Sequence, residues 1–167
     1  MFVKKMTCWV FFGLWLSATT ATAQKRAGPA VNWVRFQQLD SLQRQQPRPV
    51  FVFLHTSWCG YCQLFKRGTL RRAEVVQQLN DNFYSVSFNP ESTEPIVFQG
   101  RTFTFRPTGI NTGQHELATY LMQPYKETAY PGLIFLNPTF QPVTGIFSAL
   151  PYQSFLQLTL RVTDVVK

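Results

Sequence analysis

Cys59 and Cys62 stand three positions apart in the stretch HTSWCGYCQLF, residues 55–65. A pair so spaced can exchange with disulfides, form half of a metal site, or act as a cross-link. A bridge over two intervening residues removes little entropy from the unfolded chain, which makes it a poor staple. Zinc sites use the same spacing, but the chain has no second such pair, and His55 and His115 are far apart without ligand-like spacing. A closed zinc site is therefore poorly supported, although two thiolates could hold a soft ion such as Cu(I) transiently. Exchange chemistry fits best. An apolar run, PVFVFLHT (49–56), leads into the motif and reads as a strand buried on both faces. A cysteine in the first turn of the helix that follows would meet free backbone N–H groups and the positive end of the helix dipole. Both stabilise a thiolate and lower the thiol pKa from about 8.5 toward neutrality. Cys59 is so placed and is assigned as nucleophile. Cys62, one turn later on the same face, can resolve a mixed disulfide by attacking the Cys59 sulfur. Trp58 would flank the sulfur with apolar surface, or else pack in the core.

The elements that must position this pair follow from periodicity. Trp33, Phe36 and Leu39 predict an amphipathic helix over 31–46, ended by Pro47 and Pro49. The motif helix breaks near Gly68, and a second helix at about 70–82 carries Val75, Leu79 and Phe83 at helical spacing. FYSVSFN (83–89) is the next strand, and IVFQGRTFTF reads as a hairpin turning at Gln99-Gly100. Residues 113–122 read as a helix, 130–137 as an apolar strand, and 142–150 as an edge or bulged strand. A last helix from Pro151 would bury Phe155, Leu158, Val162 and Val165. The plan is α/β, a small mixed sheet covered by helices on both sides.

Residues 1–23 read as a secretory signal peptide: Lys4 and Lys5, an apolar stretch from Cys8 to Ala18, then Ala21-Thr22-Ala23 before Gln24. The apolar stretch is too short and interrupted for a bilayer span, which takes about 20 residues, so no stable membrane insertion is expected after cleavage. Residues 24–30 read as a flexible lead-in and 31–167 as one domain. The chain carries a formal charge of +8, which falls to +6 without Lys4 and Lys5. The positive charges are scattered, and the densest group (Lys66, Arg67, Arg71, Arg72) lies on helical sequence. That is the pattern of a solvated face rather than a nucleic-acid footprint, and export argues the same way. Cleavage leaves Cys59 and Cys62 as the only cysteines, too few for a disulfide-dependent secreted domain.

WCGYC after an apolar strand, with YPG (130–132) opening a later one, resembles the thioredoxin superfamily. In that family a cis-proline from a distant loop packs beside the disulfide and helps hold an extended substrate backbone. The resemblance implies that Pro131 is this proline, with Tyr130 before it. The likeness is closer to bacterial exported thioredoxin-like proteins, which have a stretch similar to GTLRRAEVVQQLNDNFYSVSFN (68–89) and an insertion ending in G-x-H-E-L-A, here Gly113 to Ala118. It covers about 49–137. The chain departs from thioredoxins proper in three places. Phe53 stands where they have a buried aspartate that helps move protons; Gly60-Tyr61 replaces glycine-proline between the cysteines; and the segment 90–129 is an insertion. The dipeptide tunes thiolate stability, leaving the reduction potential open over roughly −270 to −120 mV.

His55 is a candidate for tuning the thiol pKa, either as imidazolium beside the thiolate or as a neutral proton acceptor; the alternative is a structural histidine. His115 and Glu116 could be an acid/base pair, but adjacent helical residues point in different directions, which favours packing or capping. Phe98, Phe103 and Phe105 could shield the site or simply pack. The reading is a thioredoxin-like thiol–disulfide oxidoreductase. It would use Cys59 and Cys62 as catalytic pair, with Trp58, Gly60, Tyr61, Tyr130 and Pro131 binding substrate and no resident metal or organic cofactor. Expected partners are disulfide-containing exported proteins and, in an oxidising periplasm, a membrane electron-delivery reductase. The alternatives are a disulfide oxidase or isomerase using the same pair, and a non-catalytic module that binds peptides or copper.

Overall fold

The computed structural model describes residues 28–110 and 112–166. The signal peptide expected over 1–23 and most of the lead-in lie outside the described residues.

The described residues form five α-helices and eight strands. In chain order these are α1 (Phe36–Gln45), β1 (Val50–Leu54), α2 (Gly60–Arg67), α3 (Ala73–Asn82), β2 (Tyr84–Phe88), β3 (Ile96–Phe98), β4 (Arg101–Phe103), β5 (Phe105–Gly109), β6 (Thr112–His115), α4 (Glu116–Met122), β7 (Gly132–Leu136), β8 (Pro142–Ile146) and α5 (Tyr152–Val166). The central sheet has the order β2-β1-β7-β8. β1 runs parallel to β2 and antiparallel to β7, and β7 runs antiparallel to β8. This is the mixed sheet expected from the sequence.

Strand alternation splits the core in two. Val50, Val52, Leu54, Ile134 and Leu136 face one side, where Phe36 and Leu39 of α1, Phe98 and Phe103 of the β3–β4 hairpin, and Leu117 and Leu121 of α4 cover them. Phe51, Phe53, Leu133 and Phe135 face the other side, against Phe65 of α2, Val75 and Leu79 of α3, and Phe155 and Val162 of α5. Both faces of β1 and β7 are buried, so their sequences lack polar alternation. The 90–129 insertion supplies half of one covering layer. Phe98 and Phe103 therefore pack rather than reach the site, and Phe105 is half-buried. The β3–β4 hairpin turns at Gln99 and Gly100, both at positive φ (52° and 70°), the geometry of a two-residue turn matched to strand twist.

Three element boundaries differ from the sequence expectation. Residues 31–34 are not helical: Trp33 bridges Ser85 in parallel, and the Val34 N–H donates to the Ser85 carbonyl at 2.8 Å. The exposed edge of β2 offers this segment backbone partners, and the Trp33 ring lies against Phe51 and Phe53 at 6.4 and 6.3 Å. Helix α4 starts at Glu116, not 113, because Gly113 to His115 pair with β5. A Cβ on Gly113 would fall against the Phe105 ring and 2.6 Å from the Arg106 carbonyl, so the close β5–β6 approach requires glycine there. In α5, Val165 is 77% exposed and Thr159 takes the buried position between Phe155 and Val162; in the last turn Val166, not Val165, packs against the core.

Candidate active site

β1 ends at Leu54, and the chain reaches α2 through a short loop in which Cys59 is the N-cap residue. The first N–H groups of a helix lack intrahelical partners. One of them, the Cys62 N–H, donates to Cys59 Sγ at 3.1 Å. The two sulfurs are joined at 1.99 Å, with Cα atoms 5.2 Å apart. Cys59 is 5% exposed and Cys62 1%, so the N-cap residue is the less buried of the two. Trp58, Tyr61 and Leu64, all within five residues of Cys59 in sequence, are each about two-thirds exposed (69, 70 and 68%). Large apolar side chains left this exposed are available for contact with a partner. A Cβ at Gly60 would meet nothing within 4 Å, which leaves the approach to the helix start open. Trp58 is thus a surface residue, not a core one.

Sheet register brings the second half of the site to the first. Gly132 pairs with Leu54, so Tyr130 and Pro131 lie beside the loop that leaves β1. The Tyr130–Pro131 peptide bond is cis, and Pro131 is buried while Tyr130 is half-buried. Trp58 and Tyr130 meet edge to face at 6.4 Å. The Trp58 indole donates to Glu91 Oε1 at 2.8 Å. The Tyr130 hydroxyl is 3.4 Å from the Gln114 side-chain amide, which donates to it. Burial, with a smaller effect from the Glu91 charge, pushes the Tyr130 phenol above its ordinary pKa, so it stays protonated. Glu91, Gln114 and Leu64 were not picked out from sequence. Leu64 shares a helix face with Tyr61 and could have been found by spacing; the other two are placed by folds of the chain 16 to 33 residues long.

His55 lies on the sheet face that carries the cysteines, since Phe51, Phe53 and His55 alternate along one strand direction and the first two share a core with Cys59 and Cys62. Its ring stacks on Phe53 at 4.8 Å, and Nε2 is 2.8 Å from Ser87 Oγ. Burial, and then the charge of Lys66, lower its pKa below 6.5. The lowered pKa favours the neutral ring, which suits both a proton acceptor and a structural histidine held by Phe53 and Ser87. Its protonation also opposes folding, so its effect on stability appears as pH falls below 6.5.

His115 and Glu116 are not an acid/base pair. His115 is fully buried; its Nδ1 accepts the Leu117 N–H at 3.2 Å and caps α4, while Nε2 is 3.1 Å from the Glu94 carbonyl. Glu116 accepts from the Thr104 N–H (2.8 Å), the Thr104 hydroxyl (3.1 Å) and Arg106 Nε (2.7 Å). These bonds, the Thr104 backbone foremost, hold its pKa at about 2 rather than 4.5. The depressed carboxylate contributes stability fully above about 4.5 and loses it as pH falls toward 2. Glu116→Gln should therefore lower the unfolding midpoint at pH 6, with the difference from wild type vanishing near pH 2. Urea titrations at a series of pH values check this.

Among the described residues, no three of the His, Cys, Asp and Glu side chains are grouped to hold a metal ion, and no helix is long and apolar enough to cross a membrane. A family model described as thioredoxin-like matches residues 37–138. Solved structures with similar folds include a protein described as DsbH oxidoreductase, at 15% identity and TM-score 0.57, covering 89% of this chain and 94% of that one. A thioredoxin from Thermus thermophilus has 21% identity, TM-score 0.57, and coverage of 80% and 87%. The C-terminal domain of DsbD from Neisseria meningitidis in its reduced form has 14% identity, TM-score 0.51, and coverage of 75% and 90%. No curated protein matches the chain.

Proposed function

The chain belongs to the thioredoxin-like family, and from that premise we propose that it is an exported thiol–disulfide oxidoreductase that reduces disulfides in periplasmic client proteins. The observation that carries this reading is the Cys59 sulfur at the start of α2, accepting a helix N–H and bonded to Cys62, with exposed Trp58 next to it in the chain. In the reduced enzyme the Cys59 thiolate attacks a client disulfide. One S–S bond breaks, a Cys59–client bond forms, and the departing client sulfur takes a proton. The Cys62 thiol gives up its proton and attacks Cys59 Sγ, which frees the second client sulfur and restores the Cys59–Cys62 bond. Two electrons pass to the client; its sulfurs take up two protons, one equivalent to that given up by Cys62 and one from solvent, since Cys59 starts as the thiolate. The thiols carry the electrons, so no organic cofactor is needed. Return to the dithiol needs a two-electron thiol donor, and a membrane reductase fits an oxidising compartment. Structural similarity to a DsbD domain is in keeping with such a partner, at the level of fold.

Phe53 is fully buried where thioredoxins have their aspartate, so Cys62 must lose its proton elsewhere. Neutral His55, on the same sheet face and bonded to Ser87, takes that role in this reading. His55→Ala should change the pH profile of Cys59 alkylation below pH 6.5 and slow release of a mixed disulfide; an unchanged profile retires the role.

The direction of electron flow is tested by equilibrating the mature protein in glutathione buffers and trapping its thiols with acid. A reductase should titrate toward the −270 mV end of the thioredoxin range, whereas a value near −120 mV would make the protein an oxidant. A pair that never exchanges would leave only a binding module.

A further inference from the structure

Two cavities, about 430 and about 360 Å³, share Gln114, Thr119 and Gln123 and so lie side by side as a two-part trough along the insertion. At one end are Arg101, Arg106 and Tyr120; at the other are Lys126 and Thr128, two residues from Tyr130. Gln114 lines both cavities and donates to the Tyr130 hydroxyl, so the trough abuts the rim of the disulfide site. Its walls suit polypeptide. The Gln114 and Gln123 amides can pair with backbone N–H and C=O groups, and the exposed Tyr120 ring offers flat apolar contact.

Charge selects the occupant. Glu116 is already engaged by Thr104 and Arg106. Arg101 lies over the Phe103 ring at 4.6 Å, and among the described residues it has no carboxylate within ion-pair distance. With Arg106 held by Glu116, Arg101 and Lys126 stand against Glu127 alone along the trough, an excess of positive charge centred on Arg101. We propose that this trough extends the disulfide site and binds an acidic segment of the client beside its reactive cysteine. The proposal rests on the oxidoreductase reading. It gives the insertion a second task besides covering the sheet, namely choosing clients by sequence near the disulfide.

The test uses two synthetic peptides, each with one cysteine held as a mixed disulfide with glutathione, and each with a flanking tail of either glutamates or glutamines. The reduced protein should act on the acidic peptide about tenfold faster at low ionic strength, with the ratio falling toward one at about 0.5 M salt. In R101E/K126E the acidic-to-neutral ratio should drop to one or below. Arg101→Ser, a milder change at an exposed side chain, gives the same comparison if the double variant does not fold. Equal rates for the two peptides with wild type, or a preference that survives in the variants, would overturn the trough as a client site. Oxidised glutathione serves as a small disulfide that cannot span it. If wild type reduces neither peptide nor oxidised glutathione, the oxidoreductase reading itself fails and takes this one with it.

Discussion

Cys59→Ser should abolish disulfide turnover, by at least about a thousandfold, while Cys62→Ser should leave the first attack intact and halt the cycle at the mixed disulfide. The asymmetry follows from position on one helix. Cys59 is the N-cap residue, accepts the Cys62 N–H, and is the less buried of the pair. Removing its sulfur removes the nucleophile, and the losses in such cases are of the order of 10³-fold or more. Cys62 is 1% exposed and reaches no client directly; it acts only on the bond that Cys59 has formed. In Cys62→Ser, that intermediate has no internal exit and should accumulate as a covalent complex. Non-reducing electrophoresis after incubation with a disulfide-containing protein would reveal it as a band lost on adding dithiothreitol. Equal turnover by the two single variants would contradict the assignment of roles.

Phe155→Ala should destabilise the fold by about 3–5 kcal/mol, the range for removing a buried aromatic ring from a core. Phe155 is fully buried and its ring meets Phe51 at 5.3 Å, Phe65 at 5.1 Å and Phe135 at 6.1 Å. It joins α5 to the sheet and to α2 at once. Collapse of the cavity is hindered because two of these neighbours belong to β1 and β7, which are pinned by the backbone ladder. The loss should appear as a lower midpoint in denaturant with little change in slope. Because Phe65 belongs to the helix that begins beside Cys59, reactivity of that cysteine should change in the still-folded fraction. A loss below about 1 kcal/mol would mean that the α2–sheet–α5 core is less tightly packed than these contacts require.

Parts of this molecule are legible one short stretch at a time. The apolar runs that became β1 and β7 announce themselves because both of their faces are buried. The Gln99-Gly100 turn depends on two positive backbone angles, of which Gly100 takes its own freely and marks the turn in sequence, whereas Gln99 is an uncommon residue at such an angle. Periodicity failed at the edges of elements. Trp33 keeps helical spacing with Phe36 yet pairs with β2, and Gly113 keeps company with a helix yet lies in a strand. In both cases a backbone partner distant in sequence outweighed a weak local preference. Val165 shows the same limit from the other side, since the chain turns Val166 rather than Val165 toward the core.

By itself, the sequence determined the reactive pair: Cys59 and Cys62 stand one helical turn apart directly after a buried strand, and that relation is local. Only the tertiary structure decided what surrounds the pair. Glu91 reaches Trp58, Tyr130 comes to its side, and Gln114 links Tyr130 to the insertion because the sheet register sets the end of β1 against the start of β7, with the segment after β2 folding alongside. Contacts within a turn are written in residue spacing. Contacts between loops are set by which strands pair, and that depends on the packing of the whole chain.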